Sequence, residues 1–215
     1  METLRYMIQQ SDQILRLTGE HLLIALSGVL YALLIGIPIG LLIIRYKQLR
    51  EPVLWVVNAL QTVPALALVG FLMIFTGLSR TTGVLAILCY GLMPIIRATY
   101  TGVTGVDPAL IEAGRGMGMT RWQLLRLVQL PLALAVMLDG FRVATVIGIG
   151  TAAIMSLAGS GGLGQLIFAG IDRVQDKMIL AGALPAVLLA VLAEVGIAYL
   201  GRQLTPRGIR SLTNK

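Results

Sequence analysis

The sequence predicts an all-α integral membrane protein with about five transmembrane helices and one long helical connection on the cytoplasmic side. Three observations predict this. Of 215 residues, 57% are hydrophobic and only 13% are charged, where soluble domains carry about 25% charge, and the mean hydropathy is +0.87. Several runs long enough to cross a bilayer lack Asp, Glu, Lys and Arg altogether. One interior connection, residues 102–129, gathers charges and glycines between such runs. The apolar fraction excludes ordinary soluble domains and disorder alike. A net charge of +7 with a pI near 10.1 often points to nucleic acid. Here polar surface is too sparse for a nucleic-acid partner, so the charge belongs to membrane topology, with lipid headgroups as its partner.

Residues 1–20 mix Glu2, Arg5, Asp12, Arg16 and Glu20. This is an external N-terminal segment and not a removable signal peptide, because the apolar stretch after it exceeds any h-region. An amphipathic helix on the outer surface is one reading of it. Three uncharged runs follow along the chain: His21 to Ile44 with 24 residues, Pro52 to Ser79 with 28 and Val143 to Ile171 with 29. At about 1.5 Å per residue each exceeds a hydrocarbon core of ~30 Å. Two shorter runs, Thr81 to Ile96 and Met178 to Ala193, become spans when extended to Thr101 and Leu200. The expected helices are 21–44, 54–78, 82–101, 130–157 and 178–200, within a membrane domain of residues 21–201 followed by a tail, 202–215. Splitting 52–79 at Pro64 into two spans is disfavoured, since each half is too short to cross.

Prolines fall inside four spans, at Pro38, Pro64, Pro94 and Pro185, and glycine is abundant at 25 residues. Kinked, closely packed helices follow, although both residues are also commoner in membrane helices generally. Gly36 and Gly40 fit GxxxG, a weak dimerisation signal with Pro38 between them. Cys89 is the one cysteine and reads as inert packing. His21 is expected at the outer interface of the first span.

Lysine and arginine counts set the orientation. With residues 102–129 cytoplasmic, the inside holds Arg45, Lys47, Arg50, Arg97, Arg115, Arg121, Arg126, Arg202, Arg207, Arg210 and Lys215, and the outside holds Arg5, Arg16, Arg80, Arg173 and Lys177. The split of 11 to 5 places the N-terminus outside and the C-terminus in the cytoplasm.

The connection itself is patterned. Asp107-Pro108 supplies an N-cap carboxylate and a first-turn proline. Glu112 and Arg115 can share a face; Gly114, Gly116 and Gly118 interrupt; an amphipathic stretch from Arg121 to Val128 runs into Leu130-Pro131. The expected shape is helix, glycine turn, helix, either lying as a hairpin against headgroups with Trp122 at the interface or protruding as a knob for a cytoplasmic partner.

Glu112-Ala113-Gly114, three residues, Gly118, nine residues, Val128, one residue and Leu130-Pro131 resemble the EAA signature of permease subunits of ATP-binding-cassette importers. Gly114 and Val128 depart mildly from the usual alanine and isoleucine. Five spans with this loop after the third resemble the MetI-like, type I importer arrangement. The resemblance implies that the loop is a coupling helix seated in a cleft of a separate ATPase subunit, present as a dimer. Glu112, Ala113, Gly114, Gly118, Arg121, Leu130 and Pro131 are then the docking-loop residues. It also implies an extracytoplasmic substrate-binding protein, a second permease copy or a paralogous permease, and residence in a bacterial cytoplasmic (inner) membrane. A further stretch, Asp139-Gly140-Phe141-Arg142 through Ile147 to Ala152, Ala158 to Gly164 and Phe168 to Ile171, is similar to permeases for glycine betaine, carnitine, choline and proline betaine. Methionine-type permeases share its GGLG portion and remain the alternative.

Charges within the spans are sparse. Asp139 and Arg142 are i,i+3 neighbours, expected as a mutually neutralising pair facing the bundle interior or as gating and solute-path residues. Glu194 has no local partner in sequence and would face the pathway or pair across a dimer. No aromatic cage for a quaternary amine is legible among the 12 aromatics, so selectivity is expected in the binding protein. The chain contains no G-x-x-x-x-G-K-[ST], so ATP would be bound by the partner subunit, and no cofactor, metal site or catalytic residue is expected. Gly159 to Gly164 matches G-x-G-x-x-G, but a glycine-rich kink at the outer end of the fourth span fits better than a dinucleotide loop. Two other classes fit the residues less well. An intramembrane hydrolase would need Ser160 and His21, which lie far apart in sequence and lack carboxylate partners. A secondary carrier would use Asp139, Arg142 and Glu194 but leave the long cytoplasmic hairpin without a purpose.

Overall fold

A computed structural model describes residues 2–204; the expected tail from 205 onward, with Arg207, Arg210 and Lys215, lies outside the described residues. The described chain is helical throughout, in the order α1 (Glu2–Gln9), α2 (Ser11–Arg45), α3 (Arg50–Thr62), α4 (Ala65–Thr76), α5 (Arg80–Thr104), α6 (Pro108–Gly116), α7 (Arg121–Leu124), α8 (Leu130–Met155), α9 (Gly164–Asp172) and α10 (Asp176–Leu204). Four helices are long and apolar enough to cross a membrane, and the α3–α4 pair supplies a fifth crossing when counted as one broken span.

The centre of the bundle is α2, α5 and α8. Ile24, Ala25, Val29 and Ala32 of α2 meet Ile87 and Ile95 of α5 and Ala144, Ile149 and Ala152 of α8. Small residues set the spacing. A Cβ on Gly28 would lie 2.6 Å from Ile87 Cβ, one on Gly36 2.8 Å from Ile95 Cγ2 and one on Gly40 2.7 Å from Thr99 Cβ. The Gly36/Gly40 pair is therefore occupied within the chain, against α5, and is not a free dimerisation face. On α8, a Cβ on Gly140 would lie 2.8 Å from the Pro94 carbonyl oxygen. In a bilayer, where lipid tails compete for apolar contact, such close backbone approach is the main source of helix association.

Several expected boundaries change. The first span begins ten residues before His21, since α2 runs unbroken from Ser11. The helix carries its charged opening turns, Asp12, Arg16 and Glu20, beyond the apolar run. The expected span 54–78 is not one rod: its two halves are bent by 102° at a break around Pro64. Val63 is extended (φ −68°, ψ 126°), as the residue before a proline must be. Two hydrogen bonds tie the break to α5: Tyr90 Oη donates to Val63 O at 2.6 Å and Gln61 Nε2 donates to Tyr90 O at 2.9 Å. At 13 and 12 residues the halves are about 20 and 18 Å long, too short to cross separately. Pro38, Pro94 and Pro185, by contrast, sit inside continuous helices.

After α8 the chain turns through Gly159, Gly161 and Gly162, all at positive φ, into the separate helix α9, which packs on α10. Leu163, Leu166, Met178 and Ala181 there form a second core with Ile14 and Leu17 of α2. α8 and α10 run antiparallel, since Arg142 meets Glu194 and Leu138 lies beside Gly201. The α9–α10 turn consequently sits at the end of the bundle opposite the α6–α7 loop.

Candidate docking loop and intramembrane charges

The loop between α5 and α8 is a built structure. Asp107 caps α6 by accepting from Ala109 N–H at 2.9 Å, with Pro108 in the first turn. The helix closes on Gly118 at φ +79°. There Met119 N–H donates to Gly114 O at 3.1 Å and Gly118 N–H to Arg115 O at 2.9 Å, a Schellman motif with glycine in its left-handed position. Two residues later Thr120 and Gln123 form a capping box: Gln123 N–H donates to Thr120 Oγ1 at 3.3 Å, and Thr120 N–H to Gln123 Oε1 at 2.8 Å. Both helix ends around the turn are thus satisfied locally, so the loop needs no partner to hold its shape.

The expected second short helix does not stand apart. α7 passes through a wide π turn, Leu125–Gln129, directly into α8, so one helix runs from Arg121 to Ala158. The π turn has a cause in the signature itself. Pro131 has no N–H and its ring crowds the carbonyl one turn back, and the wider turn relieves both; Leu130 N–H accordingly donates to Leu125 O.

The loop residues divide by role. Glu112, Ala113, Gly118 and Arg121 are exposed, beside Leu110, Met117 and Trp122. Gly114 is buried, and a Cβ there would lie 2.6 Å from Leu124 Cδ1; glycine at this place lets α6 and α7 close on each other. Leu130 and Pro131 lie in the first turn of α8, Pro131 exposed. Among the described residues no ion pair joins Glu112 to Arg115.

The charges in the spans form one cluster. Arg142 Nη2 lies 3.1 Å from Asp139 Oδ1 and Nη1 lies 3.3 Å from Glu194 Oε1. Glu194, which has no local partner in sequence, thus meets Arg142 of another helix, and Arg142 ties α8 to α10. The pair does not turn fully inward: Asp139 is 65% exposed and Glu194 48%, with Arg142 at 30%. Arg142 Nε has no partner. An open groove of about 260 Å³ lined by Glu194, Val195, Ala198, Tyr199 and Arg202 adjoins the cluster.

His21 is fully buried within the chain, and Nε2 donates to Ile149 O at 3.0 Å, which fixes the tautomer because a carbonyl only accepts. Ser160 is also fully buried. His21 Nδ1 and Ser160 Oγ have no hydrogen-bond partner, each other included, so the nucleophile–base contact of a hydrolase is absent from the pair. Sequence reasoning missed what surrounds them. Glu20 Oε2 accepts from Gly162 N–H at 3.3 Å while Oε1 lies 3.7 Å from Arg80 Nη2, joining α2, α5 and the glycine turn. No local signal connects residues 142 positions apart.

Residues 32–207 match the family described as binding-protein-dependent transport system inner membrane component. The chain is 45% identical over 202 residues, 94% of its length and 88% of the relative's, to the glycine betaine/carnitine/choline transport system permease protein OpuCD of Bacillus subtilis. It is 42% identical over 215 residues, 98% of its length and 100% of the relative's, to the osmoprotectant import permease protein OsmW of Salmonella typhimurium. In fold it is similar to a chain of the MetNI methionine ABC transporter, with a TM-score of 0.81 at 23% identity, covering 92% of this chain and 99% of that one. The chain belongs to the family of binding-protein-dependent transport system inner membrane components, the multi-helix permease subunits of importers that work with a substrate-binding protein and a separate ATPase.

Proposed function

We propose that the chain is the permease of an importer for quaternary-amine osmoprotectants, with glycine betaine, carnitine, choline and proline betaine as the solute class. The relatives named for glycine betaine, carnitine, choline and osmoprotectant import support that class, at 42–45% identity along almost the whole chain. The methionine-type alternative rests on the fold alone, at 23% identity. Alternating access is driven by the ATPase dimer, which binds the ATP. The α6–α7 knob is the part that meets it, through Glu112, Ala113, Gly118 and Arg121. The observation that carries this is a rigid, doubly capped knob whose exposed face holds apolar Leu110, Met117 and Trp122 in no contact that buries them.

The N-terminus then lies outside and the C-terminus in the cytoplasm, and the pore is completed by a second copy or a paralogous permease. Asp139, Arg142 and Glu194 serve the pathway or its gating; what supports this is a cluster of one cation and two anions, partly exposed, on two helices apolar enough to cross a membrane, where lipid alone would disfavour it.

In proteoliposomes containing the permease, ATPase and binding protein, Gly118→Trp is expected to insert normally and to lower ATP-dependent uptake of labelled betaine at least tenfold. Uptake at the unsubstituted rate would refute the docking assignment. Tight betaine binding by the isolated permease would refute the placing of selectivity in the binding protein.

A further inference from the structure

Three helices converge where α2 ends. Ile43 of α2, Val57 of α3 and Ile96 of α5 form a small core, and the short turn Lys47–Leu49 joins α2 to α3 there. Residues 45–51 separate two charge-free runs, His21 to Ile44 and Pro52 to Ser79, so the turn stands at the edge of the hydrocarbon layer. Gly40 packs on Thr99, near the end of α5 that leads into the α6–α7 knob.

The turn is basic. Arg45, Lys47 and Arg50, with Arg97 on α5 one turn before Tyr100, stand against a single acid, Glu51, and all five residues are exposed. Arg45, Lys47 and Arg97 make no ion pair among the described residues, and Arg50 Nη1 lies 3.6 Å from a largely exposed Glu51 carboxylate. Two of the guanidiniums are placed by rings. Arg50 Cζ lies 4.9 Å from the centre of the Tyr100 ring and Arg45 Cζ 5.8 Å from that of Tyr46. Stacking occupies a face of the guanidinium and leaves its N–H edge free, the edge that takes a phosphate. α3 opens without a side-chain cap, so the positive end of its dipole adds to the same field.

The neighbours of these charges are apolar. Leu42, Leu49, Trp55 and Val56 are exposed around the turn, Trp55 on the second turn of α3. A soluble anion would leave them uncovered, whereas an acyl chain covers them, with the indole at the level where tryptophan collects in membranes. α3 has few other holds on the bundle: Val57 is its one buried residue, and its far end is the break at Pro64.

We propose that the α2–α3 turn binds an anionic phospholipid, with Arg45, Lys47 and Arg50 on the phosphate and Leu42 and Trp55 along the acyl chain. Four cations against one acid select an anionic lipid over a zwitterionic one. Bound there, the lipid pins the sparsely packed first half of the broken span to the ends of α2 and α5.

The test uses the permease, with any paralogous permease, in phosphatidylcholine nanodiscs that carry brominated phosphatidylglycerol or brominated phosphatidylcholine at equal fraction. Emission from Trp55 is taken as the difference between a Trp122→Phe chain and one with both Trp122→Phe and Trp55→Phe. Brominated phosphatidylglycerol is expected to quench it at least twofold more than brominated phosphatidylcholine. Arg45→Gln with Arg50→Gln should bring the two to parity. Arg115→Gln with Arg126→Gln removes as much charge from the same end of the bundle and should leave the preference in place. Lys47→Gln should reduce the preference by less, and it serves where the double variant fails to assemble. Equal quenching by the two lipids with the turn unsubstituted, or a preference that survives Arg45→Gln with Arg50→Gln, would overturn the proposal. Equal loss in both double variants would do the same, by reducing the effect to bulk charge. So would displacement by inorganic phosphate at constant ionic strength, which would make the occupant a soluble anion, or by added ATPase, which would give the patch to that subunit.

Discussion

Gly118, at φ +79°, and Val174, at φ +54°, occupy equivalent places in the motifs that close α6 and α9, and their substitution should act in opposite directions on stability. Gly118→Ala puts a Cβ into a left-handed residue and is expected to cost about 1–2 kcal/mol. Val174→Gly removes such a Cβ, and the gain from relieved strain exceeds the entropy that glycine loses on folding. Thermal unfolding of both variants in one detergent checks the signs. The glycine of the knob was legible in the sequence because its spacing from Glu112 is a motif. Nothing in a valine announces φ +54°, because that conformation is imposed by the short α9–α10 connection. The burial of His21 was illegible for a similar reason: a lone histidine at the start of an apolar run gives no sign of the Ile149 carbonyl that meets it from a helix remote in sequence.

At the level of the helix, Pro64 breaks its span whereas Pro38, Pro94 and Pro185 do not. The bend at Pro64 is held by the reciprocal contacts of Tyr90 and Gln61, and these decide the outcome more than the proline does. Tyr90→Phe removes the donor to Val63 O and leaves a part-buried carbonyl unsatisfied, at about 1 kcal/mol, the low end of the cost for a buried one. The expected result is a lower unfolding temperature, with faster trypsin cleavage or thiol labelling at a cysteine placed at Thr62 in a Cys89→Ala background. Labelling at the parent rate would show that the bend stands without Tyr90. Spans were legible because charge-free runs report directly on the bilayer. The break was not, since its determinants lie on another helix. The π turn was half legible: Leu130-Pro131 stood in the signature, yet the sequence alone put a separate short helix where the structure has the continuous start of α8.

Across the whole molecule, the two ends of the bundle are held differently. At the knob end, caps within the loop suffice. At the other end Glu20 bridges Arg80 and the Gly162 N–H, so three segments remote in sequence share one carboxylate. Glu20→Gln keeps shape but gives up the charge, and it is expected to speed modification of a cysteine introduced at Ser160 by a membrane-impermeant thiol reagent several-fold. An unchanged rate would show that the bridge does not restrain the glycine turn. Charge asymmetry between the ends was legible from lysine and arginine counts, and reporter fusions at residue 204 and at the N-terminus test the orientation it implies: cytoplasmic activity at the former, external at the latter. The bridge itself was not legible, because both carboxylate and guanidinium sit in segments that read as ordinary flanks of spans.

The unbroken run of helix from Arg121 to Ala158, 38 residues, is about 57 Å of stiff rod at 1.5 Å per residue. Its lower end emerges from the knob and its upper end abuts the turn at Gly159. A swing of roughly 10° about the knob would carry the far end through about 10 Å, by the length of such a rod. A push on the knob would then reach the other end of the bundle as displacement of a single connecting strut, which ends at the glycine turn that Glu20 holds.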